Sequence, residues 1–186
     1  MQSSTTYIRQ QARQLRRDLP VQQRLQAQSL ILNKIKIHPK VALATNIAIF
    51  LSFDGEIDTN PIIDYLWQQK KQVYLPVINP KNKKQLLFLH YYNPNQLVKN
   101  SFGILEPKLD ETFILPYTQL EVIFTPLVAF DNRNYRIGMG GGYYDRLLEN
   151  YQQYHIYPIG LAFNCQQVPL IPNQPWDVPL AEIIHA

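Results

Sequence analysis

Ile47–Phe53 is a nearly continuous apolar run, and it restricts the architecture more than any other segment. Such a run belongs to a strand buried on both faces, the kind found in parallel sheets that carry helices on either side. Like Val122–Phe130, it falls far short of the ~18–20 apolar residues that a membrane span needs. The rest of the chain reads as strands alternating with helices. A first helix is expected from about Thr5 to Leu19, stopped by Pro20, which can itself open the first turn of the next. The second runs to about Ile37, with a weak apolar face of Val21, Leu25, Leu32 and Ile35 interrupted by Gln28, and His38-Pro39 ends it. Thr59–Gln69 reads as a helix with Thr59 as N-cap and Pro61 in the first turn. Strands are expected at Gln72–Ile78, Gln85–Tyr91, Val122–Phe130 and Tyr157–Phe163, with a helix at about Tyr143–Tyr154 between the last two. The expectation is an α/β fold, a layered sandwich with a largely parallel sheet.

Composition excludes several classes. With 46% hydrophobic and 17% charged residues the chain can build a core and is not a disordered one. A length of 186 residues, with no internal repeat or low-complexity linker, suits one domain over 1–186. The first residues, Met-Gln-Ser-Ser-Thr-Thr-Tyr, show no secretory h-region, so a cytoplasmic location is expected. The single cysteine, Cys165, excludes an internal disulfide framework and reads as a packed thiol. The four histidines are scattered without metal-ligand spacing and read as structural. Pro169, Pro172, Pro175 and Pro179 mark an extended C-terminal loop.

The net charge of +4 is unevenly spread. Residues 1–40 carry eight basic side chains against Asp18 alone, for +7, and the remaining 146 residues sum to −3. On the first helix, Arg9, Arg13, Arg16 and Arg17 fall within roughly a 100° arc, with no acid at i+4 to neutralise them. That face suits a polyphosphate or a nucleic-acid backbone, or is a solvated helix face. No aromatics interleave with these arginines and no nucleic-acid module is recognisable.

Four of the seven glycines, Gly138, Gly140, Gly141 and Gly142, sit within five residues, and six of the twelve tyrosines lie between Tyr135 and Tyr157. Clustered glycines let backbone N–H groups approach a ligand, and a helix N-terminus behind them adds partial positive charge. Arg136 could hold the same anion bidentately. Asp145 could cap the helix or hold a Mg²⁺ that bridges phosphates. The segment is neither a Walker A loop nor the dinucleotide fingerprint, since it lacks Gly-Lys-Ser/Thr and has Tyr143 where the third glycine belongs. A tight loop with a capping aspartate is the alternative. Glu56 follows the first strand and could grip a polar ring, abstract a proton or simply be solvated. Asp177 alone is equally open.

Arg136-Ile-Gly-Met-Gly-Gly-Gly-Tyr-Tyr-Asp145-Arg146 resembles the hallmark segment of the 5-formyltetrahydrofolate cyclo-ligase (methenyltetrahydrofolate synthetase) family. The resemblance extends over nearly the whole chain. It includes the basic helix, Leu51-Ser-Phe-Asp-Gly-Glu56-Ile-Asp-Thr59, Tyr74-Leu-Pro76, Ser101–Pro107 and Asp177-Val-Pro-Leu180. It implies a fold similar to ribose-phosphate isomerases and CoA transferases. It also implies Mg²⁺- and ATP-dependent conversion of 5-formyltetrahydrofolate to 5,10-methenyltetrahydrofolate. In that reading the γ-phosphoryl group passes to the formyl oxygen, N10 attacks the formyl carbon, and phosphate leaves. The same resemblance implies ATP contacts from Arg9, Arg13, Arg136, Gly138, Met139, Gly140, Gly141, Gly142, Tyr143 and Tyr144. It implies folate contacts from Leu51, Glu56 and Met139–Tyr143, catalytic roles for Arg136, Tyr143 and Asp145, and Mg²⁺ on Asp145 and Asp177. Arg9 stands where many relatives have lysine, and Ala181 where many have a second aspartate. A monomer without nucleic-acid or membrane partners is expected. A non-catalytic phosphate binder and a sugar-phosphate isomerase are the alternatives; the isomerase needs an acid/base pair near the glycine loop, where the sequence offers only Asp145.

Overall fold

A computed structural model describes residues 4–99 and 105–186. Helix α1 (Ser4–Arg17) stops short of Pro20, which disfavours helical geometry in the residue before it. Pro20 takes the N-cap position of α2 (Val21–Lys36) instead of its first turn. The apolar face of α2 differs from the expectation: Ala27, Ile31 and Ile35 are buried, while Val21 and Leu25 are exposed. The expected set shares Ile35 with the true face but is rotated away from it at its start. His38 then caps a short helix, α3 (Pro39–Leu43), by accepting from the Val41 N–H.

The first strand, β1 (Asn46–Ala48), is shorter than the apolar run that announces it. Helix α4 (Asn60–Gln68) follows, but Thr59 does not cap it. Its hydroxyl donates to the Phe50 carbonyl at 2.7 Å, and Asp58 accepts from the Asn60 N–H. Strands β2 (Gln72–Ile78) and β3 (Leu86–His90) form an antiparallel pair. They are followed by β4 (Leu97–Lys99), β5 (Leu105–Pro107) and β6 (Ile114–Leu115), which were not foreseen. Of the Ser101–Pro107 stretch, residues 101–104 lie outside the described residues. The expected strand Val122–Phe130 is divided at Pro126 into β7 (Val122–Thr125) and β8 (Ala129–Phe130), the latter paired with β9 (Arg136–Ile137). Helix α5 (Tyr143–Leu148) is about half its expected length. Three-residue turn bonds replace the helix beyond it, Tyr151 N–H to Leu148 and Gln153 N–H to Asn150. Strands β10 (Tyr157–Ala162) and β11 (Glu182–His185) complete the chain.

Among the described residues the main sheet has seven strands in the order β11-β10-β7-β1-β2-β3-β6. The pairs from β11 to β2 are parallel and the last two are antiparallel. Alternation along the strands sends side chains to two cores. Ile47, Val73, Phe124 and Ile159 pack with Ile31, Ile35, Ile62 and Leu66 of α2 and α4. Ala48, Tyr74 and Ile123 pack on the other face with Leu148 of α5 and Leu180. Helix α1 joins neither core. It rests through Ala12 and Ile8 on Val128, Ala129, Ile137 and Ile171, across the carboxyl ends of the parallel strands. No helix among the described residues is long and apolar enough to cross a membrane.

Thr59 is fully buried, and its hydroxyl ties the start of α4 to the end of the β1 segment. Thr59→Val keeps the shape and orphans the Phe50 carbonyl, so it is expected to cost about 1–3 kcal/mol in chemical denaturation with an unchanged m-value. An unchanged denaturation midpoint contradicts this role.

Candidate active site

A cleft of about 850 Å³ opens where α1, the turn after β1, the glycine segment and the 171–178 loop converge. It lies outside the carboxyl ends of β1 and β7, the usual ligand position in open α/β sheets.

The β8–β9 hairpin sets the glycine wall. Buried Asp131 accepts from the Arg133 backbone N–H and from the Ile171 N–H at 3.0 Å, and pairs with the Arg133 guanidinium at 2.7 Å. The hairpin turn is thereby fixed to the 171–178 loop. Arg136 emerges from β9 with a side chain only 3% exposed. It pairs with Asp145 at 2.9 Å and donates to the Val178 carbonyl. Burial pushes the Arg136 guanidinium down from its ordinary value, and the neighbouring Asp145 charge opposes that. Gly140 has φ +100°, a conformation that favours glycine, and a Cβ at Gly141 would stand 2.6 Å from the Tyr143 ring. These are local reasons for glycine. Gly142 holds the N-cap position and has no side chain to cap the helix, and Asp145 sits in the first turn paired with Arg136.

Helix α1 forms the second wall. Arg9 lines the cleft and donates to the Gly138 carbonyl at 2.9 Å. The other three guanidiniums of the stripe do not form a free polyphosphate face, because Asp54 supplies the acid that is missing along the helix. Arg13 and Arg16 reach its Oδ2 at 2.8 and 3.0 Å, and Arg17 binds Oδ1. Arg16 is fully buried. Burial alone would raise the Asp54 carboxyl, but hydrogen bonds from Arg13 and Arg17 outweigh it and hold Asp54 below its ordinary value.

The turn carrying Asp54 also carries Glu56. Asp54 and Gly55 both take positive φ, 53° and 77°, which swings the chain so that Glu56 faces the cleft. Its side chain is 12% exposed, and Oε2 accepts from the Phe53 N–H at 3.0 Å. Burial pushes the Glu56 carboxyl up to about 7; the Phe53 N–H and Arg16 pull the other way, and Asp54 adds to the rise. Burial likewise raises the Tyr144 phenol, with the Glu56 charge contributing.

The cleft therefore gathers Arg9, Glu56, Arg136, Gly138–Tyr144, Asp145 and Asp177. Leu51 and Arg13 are not part of its lining: Leu51 packs on the core, and Arg13 is held by Asp54. Asp145 gives one oxygen to Arg136, and Asp177 gives one to the Gln174 N–H at 2.7 Å. The second oxygen of each has no hydrogen-bond partner among the described residues. Those residues contain no cluster of three or more His, Cys, Asp or Glu able to hold a metal by themselves. Two cleft features escape sequence reading. Trp176, 69% exposed on the rim, looks like any loop aromatic. Asp54 is the other: four arginines without an i+4 acid call for a remote one, but nothing in the pattern says where it stands.

Fold and cleft together define an α/β protein whose basic and glycine-rich walls suit a phosphorylated ligand and whose buried carboxyl suits a polar organic one. A family model for the 5-formyltetrahydrofolate cyclo-ligase family matches residues 1–186, and the chain belongs to that family, ligases of folate one-carbon metabolism. It is 46% identical to the 5-formyltetrahydrofolate cyclo-ligase of Escherichia coli K12, over 92% of this chain and 94% of that one. It is equally identical to that of Haemophilus influenzae, over 95% of each. The solved structure of Aquifex aeolicus 5,10-methenyltetrahydrofolate synthetase superposes with a TM-score of 0.82 at 25% identity, over 97% of this chain and 89% of that one.

The Glu56 carboxyl gives a pH test. The folded protein holds that proton more tightly than the unfolded chain does, so between the ordinary carboxylate range and about 7 stability falls as pH rises. Glu56→Gln removes this term. The melting temperature of the variant relative to wild type is expected to rise from pH 5 to about pH 7 and to level off above it. A difference independent of pH contradicts the buried proton.

Proposed function

We propose that this protein converts 5-formyltetrahydrofolate to 5,10-methenyltetrahydrofolate with consumption of ATP, the whole chain acting as one unit. Family membership supports the activity. The observation that carries the assignment of roles is the meeting, in one cleft, of the glycine wall with Arg9 and of the buried Glu56 carboxyl. In this reading ATP phosphates lie against the backbone of Gly138–Gly142 and Arg9, with Arg13 adding charge from one turn further along α1. The reduced pterin is held by Glu56 and by the Met139–Tyr143 wall. A carboxyl poised near neutrality can accept from ring N–H groups when ionised and donate when protonated.

The chemistry needs positioning more than a nucleophile. The formyl oxygen attacks the γ-phosphorus, the bond to the ADP oxygen breaks, and N10 then adds to the activated carbon. Loss of phosphate and of the N10 proton leaves the methenyl bridge. Arg136, buried against Asp145, aligns that carboxylate, and Tyr143 closes over the loop. Catalysis here is orientation and charge neutralisation. Magnesium usually binds one or two carboxylates and completes its shell with phosphate oxygens and water, and Asp145 and Asp177 fit it. When bound, the ion would neutralise charge on the phosphates. The wider fold we assign to the class of ribose-phosphate isomerases and CoA transferases. One feature favours the isomerase alternative: Glu56 supplies a poised carboxyl near the glycine loop. An isomerase, however, has no use for ATP.

Incubation with 5-formyltetrahydrofolate, ATP and Mg²⁺ is expected to give the methenyl absorbance, with one ATP hydrolysed per product. No product above a control without enzyme overturns the proposal. Asp145→Asn offers a neutral oxygen in place of a charged one, so the Mg²⁺ requirement is expected to rise and turnover to fall by orders of magnitude. The variant also loses the ion pair with buried Arg136, so its melting temperature is expected to fall, and the Mg²⁺ titration of the folded variant is what reads the metal role. Wild-type turnover and Mg²⁺ dependence in that variant contradict the metal role.

A further inference from the structure

Arg16 lies between two carboxylates and binds them unequally. Its Nη2 donates to the Asp54 side chain at 3.0 Å and to the Asp54 carbonyl at 2.8 Å, and its Nη1 donates to the Leu127 carbonyl. The nearest approach to Glu56, Nη1 to Oε1, is 3.9 Å, too long for a hydrogen bond. Glu56 Oε2 is occupied by the Phe53 N–H, whereas Oε1 has no hydrogen-bond partner among the described residues and belongs to a side chain that lines the cleft. We propose that Asp54 is a positioning residue that draws the Arg16 guanidinium out of hydrogen-bond reach of Glu56, leaving Glu56 with a long ion pair to Arg16 and its Oε1 free of a hydrogen bond at the cleft wall. That the free oxygen serves the reduced folate rests on the function proposed above.

The surroundings explain why a second acid is needed. Helix α1 faces this turn with Arg13, Arg16 and Arg17, and α2 adds Arg24, which donates to the Gly55 carbonyl at 3.0 Å. From α5 comes the Tyr144 phenol, which the Glu56 charge raises. The acids of the turn itself are Asp54 and Glu56. Were Asp54 neutral, three α1 guanidiniums would have Glu56 as the acid at hand, and a small rotation would close the 3.9 Å gap. A Glu56 hydrogen-bonded to a guanidinium would hold its proton less tightly, and its free oxygen would be occupied. The like charge of Asp54 contributes directly as well, since it opposes Glu56 ionisation.

The test reads Glu56 without depending on turnover. In protein labelled with ¹³C at the glutamate carboxyls, six signals titrate, and the one missing from Glu56→Gln is Glu56. Asp54→Asn is expected to lower its midpoint by one pH unit or more and to raise KM for 5-formyltetrahydrofolate about tenfold. Arg17→Gln, at a side chain 48% exposed, keeps the test decisive if Asp54→Asn fails to fold. With one guanidinium fewer, Asp54 holds Arg16 more tightly and the Glu56 midpoint is expected to rise. A Glu56 midpoint unmoved in Asp54→Asn, or unmoved or lowered in Arg17→Gln, overturns the proposal. A midpoint that falls as expected in Asp54→Asn with an unchanged KM upholds the positioning by Asp54 and removes Glu56 from substrate binding.

Discussion

The ion cluster on Asp54 is the interaction on which the cleft depends. Helix α1 buries little apolar surface, chiefly Ala12 with partial cover of Ile8, so hydrophobic packing alone holds it weakly over the sheet. Three guanidiniums on one carboxylate supply the rest. Arg16 is fully buried, and loss of Asp54 would leave it with Glu56 as the acid at hand. The same contacts fix Arg9 opposite the glycine wall and Glu56 at the far side, so the two halves of the cleft share one anchor.

A second anchor mirrors it. Asp131 fastens the β8–β9 hairpin to the 171–178 loop, and Arg136 bridges from that hairpin to Asp145 and to the Val178 carbonyl. The glycine wall and the loop carrying Asp177 are thus tied to each other. Between the two anchors the walls combine arginines, carboxylates and glycine backbone with apolar side chains such as Met139 and Trp176, which suits a reaction that needs charge neutralised and groups aligned rather than a covalent intermediate.

The central parallel strands and the first two helices were legible because their signals are local. Apolar runs mark strands buried on both faces, and prolines mark breaks. The glycine segment was legible for the same reason. What sequence could not give was set by tertiary contacts. The face of α2 is decided by how the helix lies on the sheet, which buries Ala27 and exposes Leu25. Thr59 turned from a cap into a tether because the Phe50 carbonyl was within reach. The arginine stripe was correctly placed on one helix face, but its acid stood 41 residues away from Arg13. Periodicity reports nothing at that distance. Short strands such as β4, β6 and β9 carry too few residues for any pattern.

The most direct test of this account is a crystal structure of the protein with Mg²⁺, a non-hydrolysable ATP analogue and 5-formyltetrahydrofolate. The account predicts the γ-phosphate against the Gly138–Gly142 backbone and Arg9, the pterin ring on Glu56, and the formyl oxygen in line with the γ-phosphorus. A nucleotide seated elsewhere, or a pterin remote from Glu56, would contradict it.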